Sequence, residues 1–191
     1  MLLQFQQPVN DYNLLVSDIT DLQKCISQII LHPKIDGKLE IDSWESGSRW
    51  MNLYLGSALA VGIVASTAWS GAVVYKKVQE GRIFAEYARG LAIKNDSVEE
   101  IAAKQQEAIS ALVSEEAKRI QVKYYDEDED NENFERIKFS IKLFSELVEK
   151  GTEVHPALTA PESVQNLFPD FKNLESIVSQ TKLLTDKKSS N

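Results

Sequence analysis

Residues 51–75, MNLYLGSALAVGIVASTAWSGAVVY, run for twenty-five positions without a charged side chain; Arg49 stands just before them and the Lys76 and Lys77 pair just after. As a helix this stretch rises about 37 Å at ~1.5 Å per residue, enough to cross a bilayer core of about 30 Å. The remainder of the chain is polar and acidic, so the placement of this block decides the architecture. Trp50 and Tyr54 at one end and Tyr75 at the other have the spacing of interfacial aromatics, and Lys76 and Lys77 have stems long enough to reach headgroups. These five residues are the expected membrane-interface set. Lys34, Lys38 and Arg49 precede the run, whereas Lys76, Lys77, Arg82, Arg89 and Lys94 follow it. That asymmetry predicts a cytoplasmic C-terminal side.

The run is poor in leucine and rich in Gly, Ala, Ser and Thr, which also suits a core helix of a soluble bundle. Ala58, Gly62, Ser66 and Ser70 fall four apart, as do Gly56 and Ala60, and then Ala68 and Ala72. Small residues at this interval let helices approach closely. At 100° per residue the two rows lie on different sides, which suits a ring or bundle in which each protomer touches two neighbours, where one face alone would suit a dimer. Gly56, Ala58, Ala60, Gly62, Ser66 and Ser70 are therefore the expected packing and oligomerisation residues.

Outward from this block, residues 10–31 carry Leu15, Ile19, Leu22, Ile26 and Ile29 at helical spacing, stopped by His32-Pro33. A polar connector with Asp36-Gly37 and a short extended stretch follows. Asp42 with Glu45 has capping-box spacing, which predicts one long helix over 42–94. Ser97 with Glu100 repeats that spacing and opens a helix over 97–124, with Ile101, Ala108, Leu112 and Ile120 on one side. In 133–150, Phe134, Ile137, Ile141, Phe144 and Val148 alternate by three and four like a core or coiled-coil seam, and Gly151 is the expected C-cap. Three prolines mark 151–169 as a turn-rich linker. Phe171, Leu174, Ile177, Val178 and Leu183 predict a last amphipathic helix. The expected fold is all-α: an N-terminal helix and connector (1–41), the long helix (42–94) and an acidic helical domain (95–191).

With a formal net charge of −8 and no basic stripe, the chain lacks the counterion-releasing surface of a nucleic-acid binder. The N-terminus has neither a basic n-region nor an apolar h-region, so no signal peptide is expected. The single cysteine, Cys25, excludes an intrachain disulfide and reads as a small buried hydrophobe. Asp126, Asp128 and Asp130 match the start of an EF-hand loop. Asn131 then stands where glycine is needed and Ile137 where a bidentate glutamate is needed, so the run reads as a solvated acidic loop. His32 and His155 each precede proline, away from any nucleophile pattern. No phosphate-cradling glycine motif occurs. No catalytic, cofactor or metal residues are expected.

The leading expectation is a single-span membrane protein. It would assemble as a homo-oligomer through its small-residue faces, as a pore-like effector or scaffold, in contact with lipid and with protein partners through the C-terminal helices. The alternative is a soluble α-helical interaction or toxin-like subunit that buries the apolar helix in a bundle or against partner subunits.

Overall fold

In the computed structural model, residues 1–5, 12–44, 50–91, 95–125 and 131–180 are described. The apolar run divides at Gly56. Its first residues form a strand and its remainder opens a 33-residue helix, α2 (Ala58–Gly90), around which the other elements are arranged. Ahead of α2 come β1 (Leu2–Gln4), α1 (Tyr12–Ile30), β2 (Glu40–Trp44) and β3 (Trp50–Tyr54). After it come α3 (Asn95–Tyr124), α4 (Asn131–Glu149), β4 (Glu153–His155), the short α5 (Glu162–Gln165) and a 3-10 turn at Leu174–Ser176.

The protein is therefore mostly helical but not all-α. The strands form one antiparallel sheet in the order β2-β3-β1-β4. The reason lies in WMNLY, where apolar and polar faces alternate with period two. Met51 and Leu53 point into the core while Trp50 and Tyr54 are exposed. Absence of charge hides this alternation. Gly56 then turns the chain at φ +83°, and a Cβ there would lie 2.8 Å from the Lys38 backbone nitrogen. The helix begins with Ser57, whose hydroxyl accepts from the Ala60 N–H at 3.1 Å and caps α2. Asp42, expected to open a helix, lies in β2, and its partner Glu45 is outside the described residues. The long helix thus runs over 58–90 rather than 42–94.

The expected faces of the flanking helices are largely buried. In α1, Leu22, Cys25, Ile26, Ile29 and Ile30 are enclosed, and in α4 so are Ile137, Ile141, Phe144 and Leu147. Together with Leu3, Met51, Leu53 and Val154 from the sheet they make one core around the first half of α2. The Ser140 hydroxyl donates to the Cys25 carbonyl at 2.8 Å and accepts from Gln28 Nε2 at 2.7 Å, which joins α4 to α1. Burial pushes the Cys25 thiol well above its usual range, with the Asp21 charge adding to it. Gly151, at φ +85°, ends α4, and the Thr152 N–H donates to the Leu147 carbonyl at 2.9 Å.

Leu183 lies outside the described residues, and over its described part, residues 171–180, the predicted last amphipathic helix is replaced by a strap whose one regular feature is the 3-10 turn. Its carbonyl groups are used by α2: Trp69 Nε1 donates to Val178 O at 2.9 Å, and Lys76 Nζ to Glu175 O at 3.2 Å. A helix would need such carbonyls for its own ladder. The acidic residues 126–130 lie outside the described residues, and Asn131 begins α4.

Candidate functional site

From Ala60 onward the first half of α2 is largely enclosed. Residues 62–68 are buried in succession, with α4, α3 and α1 packed around them. The most apolar 18-residue window of the helix is long and apolar enough to cross a membrane, and 72% of it is buried inside the protein. Helices apolar all round are either core helices or spans.

The small-residue rows are used within the chain. Gly62 faces α3, where a Cβ would stand 3.2 Å from the Tyr124 hydroxyl oxygen. Tyr124 Oη donates to the Gly62 carbonyl at 3.0 Å and lies 2.8 Å from Ser66 Oγ, so the serine is the donor in that second bond. One turn on, Ser70 Oγ lies 2.8 Å from Glu116 Oε2 and 3.0 Å from the Ser66 carbonyl. Gly71, on another side, meets α4 so closely that a Cβ would fall 2.6 Å from that of Phe144. The contacts of Gly62, Ser66 and Ser70 are thus with α3 of the same chain, and the close approach to α4 is made at Gly71, which lies in neither row. Ala60 is fully buried, Ala58 is exposed in the first turn, and Gly56 lies in the turn before the helix.

The expected interface residues do not share one helix. Trp50 and Tyr54 stand on β3, with Trp50 against the His155 ring at 5.4 Å and Tyr54 Oη donating to Gly56 O at 3.2 Å. Tyr75 is half-buried within α2. Lys76 holds the strap, and Lys77 pairs with Glu80 at 2.6 Å.

Sequence reasoning missed Glu116, which is fully buried. Its Oε2 accepts from Ser70 and from Arg119 Nε at 3.1 Å and Nη2 at 2.9 Å, and its Oε1 accepts from the Ser179 hydroxyl of the strap. Arg119 Nη1 also donates to Gln180 Oε1 at 3.1 Å. Arg119 pairs with the carboxylate and both its oxygens accept hydrogen bonds, so this cluster clasps α2, α3 and the strap together. A signal for it exists: Ala108, Leu112, Glu116 and Ile120 step by four, and the acid interrupts an otherwise apolar row.

Beyond the clasp, α2 and α3 continue side by side as a two-helix arm. Ala88 and Val98 are buried there, while Ile83, Phe84, Tyr87 and Leu91 are exposed on one stripe of α2 and its end. Between clasp and arm runs a mainly apolar groove of about 370 Å³, lined by Lys77, Glu80, Gly81, Gln105, Ala108, Ile109 and Leu112. Among the described residues, no group of three or more His, Cys, Asp or Glu is arranged to hold a metal ion.

The chain is 28% identical over 175 residues to the uncharacterized protein YqaP of Bacillus subtilis (strain 168), an alignment covering 83% of this chain and 55% of that protein. It therefore spans about half the length of this curated relative. No family model and no solved structure matches the chain.

Proposed function

We propose that this protein is a soluble helical interaction subunit that keeps its apolar segment folded into its own core and meets protein partners along the α2/α3 arm and groove. The observation that carries the reading is the unbroken burial of residues 62–68 against α1, α3 and α4. To place α2 in lipid, the chain would have to strip it from these helices and expose Ile26, Ile137, Ile141 and Phe144, at about 1.5–3 kcal/mol for each large side chain. The exposed stripe of Ile83, Phe84, Tyr87 and Leu91 supplies an apolar contact surface outside that core.

The second reading is the single-span oligomer with a cytoplasmic C-terminal domain, favoured by the length and apolarity of α2. It requires lipid or other copies of the chain to replace the helices that now surround α2. Carbonate extraction and flotation of the expressed protein, followed by light scattering of the soluble fraction, separates the two. The interaction subunit is expected to wash out as a discrete helical particle without detergent. Retention in the membrane pellet would overturn it in favour of the span.

A further inference from the structure

We infer that the α2/α3 groove is a docking channel for an extended peptide segment, half of which the chain fills with its own strap. Residues 174–180, a 3-10 turn followed by an extended run from Ile177, cross α2 and α3 in the manner of a bound peptide. One aliphatic side chain, Ile177, is buried to 1% exposure against Ala72 and Val73, with Trp69, Leu112 and Phe171 beside it. The backbone is held from the side: Trp69 Nε1 takes the Val178 carbonyl at 2.9 Å, and Lys76 Nζ the carbonyls of Glu175 and Ile177 at 3.2 and 3.4 Å. Two residues after Ile177, the Ser179 hydroxyl reaches buried Glu116. Val178 is 58% exposed, and among these strap residues Ile177 alone is anchored in the core. Such a segment belongs to the least stable part of a fold.

The strap does not fill the groove. Leu112 packs against the cluster of Ala72, Val73 and Ile177 and also lines the open stretch of about 370 Å³ that continues along Gly81, Gln105, Ala108 and Ile109. The filled half defines what the channel accepts: an extended partner segment with an aliphatic side chain, a hydroxyl residue two positions later, and main-chain carbonyls turned towards Trp69 and Lys76. This inference rests on the proposed function, since it needs α2 and α3 packed together in water.

The test uses the full chain and a fluorescent peptide of residues 171–180. In the wild type the tethered strap outcompetes the peptide. Ile177→Asp frees the groove and is expected to tighten peptide binding at least ~tenfold, and adding Trp69→Phe to that variant should weaken it again. Equal binding to wild type and Ile177→Asp, or indifference to Trp69→Phe, would overturn the channel while leaving a soluble interaction subunit standing. Should Ile177→Asp fail to fold, hydrogen exchange on the wild type decides. Strap amides exchanging well ahead of those of α2 around Ala68 support the inference, and exchange only with global unfolding overturns it. A chain found solely in membranes overturns both readings.

Discussion

The two halves of α2 share one continuous backbone and differ in almost everything else. Over residues 60–74 nearly every side chain is buried, because α1, α3 and α4 all reach it. Over 79–90 Ala88 alone is buried, and the large apolar residues Ile83, Phe84 and Tyr87 face outward. Composition separates the halves in part, since residues 58–74 carry no charge while Lys76, Lys77, Glu80, Arg82, Glu86 and Arg89 lie in the second half, yet large hydrophobic side chains occur in both. Whether those side chains are buried follows from the number of helices within reach. Hydrophobic stabilisation is proportional to the area actually removed from water, so the first half holds the fold and the second half offers a surface.

The contrast is broken most severely by charge. Val64→Arg places an unpaired cation in the fully enclosed half and is expected to cost ~3–5 kcal/mol or more, with loss of cooperative unfolding by circular dichroism. Ile83→Arg, on the arm, should stay within about 0.5 kcal/mol of wild type in the same measurement. Equal destabilisation by the two would erase the distinction between core and arm.

Glycines give a finer comparison. Gly71→Ala pushes a methyl group into the Phe144 Cβ and Ser145 backbone of α4 and is expected to lower stability by about 1–3 kcal/mol in urea titration. Gly90→Ala, where nothing lies within 4 Å, should gain roughly 0.5 kcal/mol from helix propensity. A neutral Gly71→Ala would mean that α2 and α4 are further apart than described.

The smallest effect concerns a charge that ties the bundle together. Partial burial pulls the Lys150 pKa down, but hydrogen bonds to Asp18 and Asp21 of α1 outweigh it and leave the value raised. A raised folded value means that this stabilisation is complete below the unfolded pKa, 10.5, and is lost as pH climbs through the folded one. Because the side chain is 43% exposed, solvent screening leaves it worth at most a few tenths of a kcal/mol. In urea midpoints between pH 8 and 11, wild type should lose slightly more than Lys150→Met over the alkaline end.

Much of the helical frame was legible in residue spacing. The apolar faces of α1 and α4 follow the three-and-four interval, and Gly151 stands where α4 stops. The sheet was illegible because WMNLY alternates inside an uncharged run, where a helix-length apolar stretch overrides a five-residue pattern. Misplacing the helix start followed from it: Asp42 has the right spacing for a cap, but the capping hydroxyl is that of Ser57. The strap looked helical for the opposite reason, since its apolar residues have helical spacing while its carbonyls are claimed by Trp69 and Lys76 from another element. Of the expected packing residues, Gly62, Ser66 and Ser70 meet Tyr124, Glu116 and Arg119 of the same chain, partners that no spacing within the run points to.

By itself the amino-acid sequence determined that this protein contains an apolar helix with small-residue faces and that amphipathic helices flank it, because periodicity and composition are local properties of a chain. Only the tertiary structure decided what those faces touch. Burial and close packing depend on which surfaces meet: spacing places Glu116 in an apolar row, but nothing local points to Ser70, 46 positions away, as its partner.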